Sequence, residues 1–196
     1  HQLLYLLRYG QRSGEKEAIR MAERTLRAMR RGGVFDQLGY GLHRYSTDRK
    51  WLVPHFEKML YDQALFALAA TEAFRPGSGE EHGRTVREVM EYVLRDLRAP
   101  DGSFYAAEDA DSEGEEGRYY LWETEEIRRI LGPQDARFAM EMFGLRDDGN
   151  FTDPVTGKRT GSNILSIASV GEGNDRAGRL ISAGEKTRQL EEVRRR

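Results

Sequence analysis

Two kinds of predicted helix alternate along the first half of the chain. Residues 3–9 hold four leucines and two tyrosines, which predicts a helix buried on every side. Residues 15–31 carry apolar side chains at helical spacing between arginines and glutamates, which predicts a helix with one buried face. The same order returns at 54–74, which is apolar all round beyond its first two turns, and at 84–97, which has a single apolar stripe.

This alternation predicts an all-α fold. Helical hairpins account for it if their first helices line an inner ring and their second helices form an outer layer facing water. A plain four-helix bundle would instead make every helix amphipathic. Three Gly-x-Phe corners, which begin at Gly33, Gly102 and Gly149, indicate a weak internal repeat of such hairpins. Glycines that only cap the preceding helices are the alternative explanation of these corners.

The second half of the chain is less regular. Residues 103–122 place aromatic side chains around an acidic, glycine-rich middle, which predicts a short β-hairpin with a long tip. Ser78 and Glu81 form a predicted capping box at the start of the preceding helix. The other predicted elements are short helices at 125–131 and 135–143, separated by Gly132 and Pro133, a loop at 146–173 and a helix at 174–196.

Composition narrows the class of protein. The chain has 196 residues, which favours one domain, and its 31 Lys and Arg against 33 Asp and Glu argue against a nucleic-acid partner, which requires a basic face. The absence of cysteine excludes thiolate chemistry within this chain and fits a reducing, cytoplasmic compartment. No apolar run approaches the ~20 residues that cross a bilayer, so no membrane partner is predicted. Because the chain begins with His1, we expect a piece of a longer protein.

The densest set of candidate functional side chains lies in residues 32–62. Glycines there allow close approach of a ligand, and tyrosine and tryptophan offer flat faces on which a sugar or a base can stack. The candidate catalytic residues are Asp36, His55, Glu57 and Asp62, and the candidate ligand-binding residues are His43, Arg44, Tyr45, Trp51, Lys58, Tyr61, Glu108, Asp109 and Asp111.

A helix that starts at Pro54 would bring several of these residues to one face. Pro54 suits the first turn of a helix, and His55, Lys58 and Asp62 then share a face, with His55 and Asp62 about 10 Å apart along the axis. At that distance they do not touch, but they can flank a ligand. In the structural alternative, Lys58 and Asp62 form only an ion pair, and His55 only hydrogen-bonds a neighbouring loop.

The acidic stretch 108–117 partly imitates a calcium-binding loop. Asp109, Asp111 and Glu113 offer oxygen ligands at alternate positions, and a glycine follows at the sixth position. Tyr120, however, stands where such a loop needs a bidentate glutamate. The sequence therefore predicts no metal and no cofactor, and a different divalent-cation site in this loop is the alternative.

Four runs of residues resemble one known family. They are GGVFDQLG at 32–39, HRYS at 43–46, WLVPHFEKMLYD at 51–62, and EDADSEG at 108–114 with YYLW shortly after it. These runs are similar to the spermatogenesis-associated, thioredoxin-domain-containing proteins, and the resemblance covers roughly residues 1–170. Tyr40 and Leu42 depart from the family pattern, in which Gly and Phe are frequent.

The resemblance implies a more specific fold than the helix pattern does. Family members place a thioredoxin-like domain before an α/α toroid of six helical hairpins, similar to the barrels of N-acylglucosamine 2-epimerases and certain glycosidases. Residues 1–196 are then roughly half of that barrel domain, with a short β-hairpin insertion. The thioredoxin-like domain and the remaining hairpins are expected outside this chain, and other segments of the same protein are expected to cover the open apolar side.

Three functions follow as hypotheses. The first is a carbohydrate-processing enzyme, in which hydrolysis needs two carboxyl groups about 5–10 Å apart, whereas epimerisation favours His55 or His43 as proton acceptor. The second is a non-catalytic module that binds a ligand or partner for the attached redox domain. The third is a cation-binding regulatory loop at 109–113. The sequence does not choose between isomerase and hydrolase, and it leaves open whether the protein is an enzyme.

Overall fold

The computed structural model describes residues 1–74, 80–153, 157–167, 173–174, 180–181 and 183–195. The chain divides into two compact units, His1–Gly117 and Arg118–Arg196. Within the described residues there are six α-helices, and every β-strand is only two residues long. The fold is therefore mostly helical, as the sequence predicts.

The first unit is built from two pairs of packed helices. Helix α1 (Gln2–Ser13) and helix α2 (Lys16–Arg31) form a hairpin, which turns at Gly14 with φ of 77°. Helix α3 (Leu60–Ala73) packs against helix α4 (Glu80–Tyr92), and α1 also packs against α3. The first helices of the two pairs are thus neighbours.

The core of the first unit lies between these four helices. Leu7, Leu26, Phe66 and Val89 are buried there, one from each helix. The buried apolar residues of α2 lie in its predicted stripe. In α4, Val89 of the predicted stripe is buried, but the polar side chains of His82, Thr85 and Glu88 are buried as well. A π-helical turn at Val93–Leu97 continues α4 and adds further apolar side chains to the same core.

The prediction that α1 is buried on every side is wrong. Tyr5 is 67% exposed and Tyr9 is 47% exposed, and their rings stack on each other 6.0 Å apart. Leu68 on α3 is half exposed as well. In the described part of this unit α1 packs mainly against α2 and α3, and the side that carries Tyr5 and Tyr9 stays exposed.

The predicted helix over 54–74 begins later than the sequence indicates. Residues 54–59 are extended: strand β1 (Tyr45–Ser46) pairs with β2 (Pro54–His55), and β3 (Lys58–Met59) pairs with β4 (Ala107–Glu108). Helix α3 starts only at Leu60. Pro54 fits a helix start locally, but pairing with distant strands determines its conformation. His55, Lys58 and Asp62 therefore do not share a helical face, which corrects that prediction.

The acidic stretch forms a tight hairpin. Strand β5 (Asp111–Ser112) pairs with β6 (Glu115–Glu116) through Glu113 and Gly114, whose φ angles of 55° and 82° are those of a type I′ turn. The predicted hairpin is thus present but shorter than 103–122. The aromatic strand β7 (Leu121–Trp122) belongs to the second unit and pairs with β8 (Asn163–Ile164). The prediction that these aromatic residues belong to the 103–122 hairpin is therefore wrong.

The second unit contains one long, bent helix. Helix α5 (Thr124–Phe143) is interrupted at Gly132, whose φ of 74° and ψ of 168° are not helical, so two helical segments meet where the sequence predicts a break. The predicted final helix starts late, because β9 (Gly173–Asn174) pairs with β10 (Leu180–Ile181) before α6 (Ala183–Arg194). Ser78 of the predicted capping box lies outside the described residues.

Asn163 holds the loops of the second unit together. Its side chain is fully buried, and its Oδ1 accepts a hydrogen bond from the backbone N–H of Arg146 at 2.8 Å. Its Nδ2 donates to the carbonyl oxygens of Arg146 and Trp122 at 3.0 and 3.2 Å. The amide therefore bridges the end of α5 to strand β7.

Replacement of Asn163 by Ala is expected to destabilise this unit. The substitution leaves buried backbone groups without partners, which costs about 1–3 kcal/mol of unfolding free energy. Denaturant unfolding followed by Trp122 fluorescence measures the loss, and Thr152→Ala, at an exposed position, is the control. A loss no larger than that of the control contradicts the bridging role.

None of the helices described is both long and apolar enough to cross a membrane.

Candidate functional site

The loop after α2 is organised by Asp36. One carboxylate oxygen of Asp36 accepts hydrogen bonds from the backbone N–H groups of Leu38 and Gly39, both at 2.9 Å. The other oxygen accepts from the ammonium of Lys58 at 2.8 Å. Lys58 also donates to the carbonyl of Tyr40 at 3.0 Å, so the loop is tied to strand β3.

Lys58 and Asp36 form a buried ion pair. The side chain of Lys58 is only 2% exposed, and its ammonium lies 4.5 Å from the centre of the Tyr92 ring. Burial on its own raises the pKa of Asp36, but the ammonium of Lys58, together with the other hydrogen-bond donors, outweighs burial and holds the pKa below its ordinary value. Lys58 therefore pairs with Asp36, and the Lys58–Asp62 pair considered from the sequence is not formed.

Buried Tyr92 and His43, with the partly buried Glu108, complete a polar cluster around this ion pair, which we call the buried polar cluster. The hydroxyl of Tyr92 donates to Glu108 at 2.8 Å, and burial raises the pKa of Tyr92. Nδ1 of His43 donates to the carbonyl oxygen of Phe56 at 2.9 Å. Burial and the nearby positive charge of Lys58 lower the pKa of His43 to about 3, so His43 is neutral at physiological pH.

A second group of polar side chains lies at the surface. We call it the exposed polar face; it comprises Arg44, Tyr45, His55, Glu57, Tyr61, Asp62 and Glu116. Strand pairing positions Tyr45 opposite His55, and the backbone N–H of Arg44 donates to the carbonyl of Glu57 at 2.7 Å. Its guanidinium also binds the Glu57 carboxylate at 2.7 Å and interacts with Tyr61.

His55 has an acidic neighbour beside each of its ring nitrogens. Its Nδ1 lies 2.6 Å from Oε1 of Glu116, and its Nε2 lies 3.7 Å from Oε2 of Glu57. The imidazole ring stacks on Tyr45 with a centroid distance of 5.1 Å. The side chain of His55 remains 27% exposed, so a ligand can reach it.

Asp62 offers an unused hydrogen-bond acceptor. It lies in the first turn of α3, and its Oδ2 is buried without a hydrogen-bond partner among the described residues. Burial raises the pKa of Asp62, Arg44 opposes this shift and the negative charge of Glu57 adds to it. The surroundings of Asp62 thus favour the protonated form of its carboxyl group more than water does.

The structure separates the predicted site residues into distinct locations. Arg44, Tyr45, His55, Glu57, Tyr61 and Asp62 meet on the exposed polar face, whereas Asp36, His43, Lys58 and Glu108 belong to the buried polar cluster. Asp109 and Asp111 are exposed on or beside the acidic hairpin. Trp51 packs against the core at a φ of 62°, and its carbonyl oxygen lies directly against Gly32.

Glu116 is a member of the site that the sequence does not reveal. It reaches His55 from the acidic hairpin, 61 residues further along the chain, and no spacing or motif signals that contact. Only the hairpin register, which pairs Glu116 with Asp111, determines which acidic residue of the stretch faces His55. Among the residues described, no group of three or more histidine or acidic side chains is arranged to hold a metal ion.

Comparison with known proteins gives several similar sequences. The chain is 41% identical over 168 residues to spermatogenesis-associated protein 20 of Homo sapiens and 40% identical over 167 residues to that of Rattus norvegicus. It is 36% identical over 169 residues to an uncharacterized protein of Caenorhabditis elegans. Each match covers 76% of this chain, and no family model matches it.

The matches extend over only part of the relatives. The chain spans 21% of the human and rat proteins and 23% of the nematode protein, about a fifth of their length. The predicted resemblance is confirmed at the level of these named homologues, whose names state no reaction or ligand.

Proposed function

We propose that the exposed polar face binds a neutral saccharide and transfers protons on it, as a sugar isomerase or epimerase does. The observation that carries this proposal is that Glu57 lies beside a reachable imidazole, His55, and also interacts with Asp62, a carboxyl group whose pKa is raised by burial. The half-exposed rings of Tyr45 and Tyr61 flank these groups and supply flat apolar surfaces for the C–H face of a sugar.

Each group has a defined role in this reaction. Nε2 of His55 accepts the proton from the carbon next to the carbonyl of the open-chain sugar. The electron pair of that C–H bond moves towards the carbonyl oxygen, which the Asp62 carboxyl protonates. His55 then delivers the proton to the former carbonyl carbon of the enediol, while Asp62 takes the proton of the other enediol hydroxyl, which forms the isomeric carbonyl and restores both side chains. Arg44, paired with Glu57, orients the sugar hydroxyls.

Glycoside hydrolysis is the second candidate, and one observation favours it. Glu57 is bound to Arg44 as a carboxylate, whereas the pKa of Asp62 is raised. This reaction needs one carboxyl group as general acid and a second as base or nucleophile, and we assign Asp62 to the first role and Glu57 to the second.

The buried polar cluster has a supporting role in this proposal. Lys58 and His43 are 2% exposed, so a ligand does not reach them, and Asp36 is engaged with Lys58 and two backbone groups. We assign these residues to the rigidity of the loop and of strand β3, which directly follows Glu57. His55 is then the proton acceptor, and His43 is not.

The wider architecture of the proposal is an α/α toroid. Its support is the packing of α1 on α3 and the exposed apolar side chains on these helices, Tyr5, Tyr9 and Leu68, which further hairpins would cover. The attached thioredoxin-like domain and the cytoplasmic location belong to the same proposal. The domain rests on the family resemblance, and the location rests on the absence of cysteine.

Deuterium exchange tests the proposed reaction whichever sugar product is formed. The full-length protein is incubated with neutral reducing sugars in deuterated water, and NMR follows replacement of the carbon-bound proton. We expect exchange with at least one sugar, and His55→Asn and Asp62→Asn are each expected to slow it about a hundredfold. Asp101→Asn, an exposed carboxylate of a turn, is the control.

The outcomes separate the hypotheses. Exchange that neither variant slows contradicts the assigned site. Release of reducing ends from glycosides without carbon exchange favours the hydrolase over the isomerase. Sugar binding that Asp62→Asn weakens, with no turnover in any form of the protein, favours the non-catalytic binding module.

A further inference from the structure

Glu116 makes two hydrogen bonds from a strand that is remote in sequence. Its Oε1 lies 2.6 Å from Nδ1 of His55 and accepts the backbone N–H of Phe56 at 3.2 Å. The second bond anchors the carboxylate to the backbone of the residue that follows His55. The carboxylate is therefore fixed relative to the imidazole and does not simply follow its rotation.

This contact determines which nitrogen of His55 carries the proton. A carboxylate only accepts hydrogen bonds, so Nδ1 of His55 must be the donor. In the neutral imidazole Nε2 is then the unprotonated nitrogen. Nε2 lies 3.7 Å from the nearest oxygen of Glu57, beyond a direct hydrogen bond, so it remains open to an incoming group.

We infer that Glu116 is the positioning residue of the site: it keeps the proton of His55 on Nδ1 and thereby presents Nε2 to the ligand. This inference rests on the proposed function for its catalytic meaning. The inference gives one glutamate of the acidic stretch a role in the site. For this role the β5–β6 hairpin has to lie beside His55.

The docking of the hairpin is itself specified by the structure. The backbone N–H of Gly117 donates to the carbonyl of Ala110 at 2.9 Å, which closes the base of the hairpin. Gly117 lies against the ring of Phe56, the neighbour of His55. Glu115 and Glu116 are successive residues of one strand, so their side chains leave on opposite faces. Of these two, Glu116 is the one whose face is turned to His55.

Nitrogen NMR of the full-length protein labelled at histidine tests this inference. The ring-nitrogen signals of His55, assigned by their disappearance in His55→Asn, are expected to report the Nδ1–H tautomer. Glu116→Ala removes the acceptor and is expected to bring the Nε2–H tautomer to a substantial population. Glu116→Gln keeps a side-chain oxygen that accepts a hydrogen bond and is expected to retain Nδ1–H.

Glu115→Ala is the matched control, because it removes the same charge from the same strand and is expected to leave the tautomer of His55 unchanged. Where sugar exchange is measurable, Glu116→Ala is expected to slow it about tenfold. A wild-type His55 with its proton on Nε2, or a tautomer unaffected by Glu116→Ala, overturns the inference. The NMR result stands whether or not sugar exchange is found, so failure of the proposed function is recognised separately.

Discussion

Replacement of Lys58 by Met is expected to lower the unfolding free energy by about 3–5 kcal/mol at neutral pH. Methionine keeps most of the aliphatic side chain but removes the ammonium that neutralises Asp36. The Asp36 carboxylate then stays buried with only its two backbone donors, Leu38 and Gly39. Breaking one side of a buried ion pair is costly, because the remaining charge keeps its desolvation penalty.

The loss is expected to depend on pH in a defined direction. Lys58 depresses the pKa of Asp36 in the folded state, so the ionised group adds stability that is fully present above its unfolded pKa of about 3.9. That stability disappears as the pH falls from there through the folded pKa. In Lys58→Met, burial without the ammonium raises the pKa of Asp36 above its unfolded value. The difference between wild type and variant should therefore begin to shrink above about pH 4, and it should go on shrinking as the pH falls through the depressed pKa of Asp36 in the wild type.

Denaturant unfolding followed by Trp51 fluorescence, at pH 7 and about pH 3.5, measures both effects. Asp36→Asn in the Lys58→Met background is the control, because asparagine keeps an oxygen for the backbone donors and removes the unpaired charge. The double variant should be more stable than Lys58→Met alone at pH 7. A loss below about 1 kcal/mol, equal at both pH values, contradicts the buried-pair account.

The helical part of the fold was predictable because its signals are local. The stripes of α2 and α4 repeat within a few residues, and Gly132 interrupts α5 where the sequence indicates a break. The start of α3 was not predictable in this way. Residues 54–59 are locally compatible with a helix, and they become extended because Lys58 and Met59 pair with the distant strand β4.

The candidate site was predictable in composition but not in geometry. Several of the predicted residues do meet on one face, which the concentration of polar and aromatic side chains in 32–62 indicates. Which of His43 and His55 is buried was not predictable, because their burial depends on strand pairing that no local pattern specifies. The extended backbone places His43 against Phe56 and leaves His55 at the surface. Glu116 arrives from the hairpin, whose register no local pattern defines.

Gly117→Ala is expected to be the second strongly destabilising substitution, with a loss of about 2–5 kcal/mol. Two costs add up at this position. Gly117 has a φ of 76°, a left-handed conformation that a side chain disfavours by about 1–2 kcal/mol. A Cβ atom there would also lie 2.3 Å from the ring of Phe56, an overlap that requires the ring or the hairpin to move, at about 1–3 kcal/mol.

Gly114→Ala separates these two costs. Gly114 is in the same hairpin and has a similar φ of 82°, but nothing lies within 4 Å of the position of its Cβ. It should show the backbone cost alone, and the difference between the two variants measures the steric contact with Phe56. Equal losses in unfolding experiments would show that Phe56 does not hold the base of the hairpin.

The same pair of variants links the hairpin to the site. If the base of the hairpin moves to relieve the overlap with Phe56, Glu116 moves with it, because it is the residue before Gly117. Gly117→Ala should then disturb the His55 tautomer as Glu116→Ala does, whereas Gly114→Ala, at the far turn, should not. An unchanged tautomer in a destabilised Gly117→Ala protein would mean that the ring of Phe56 yields and the hairpin stays in place.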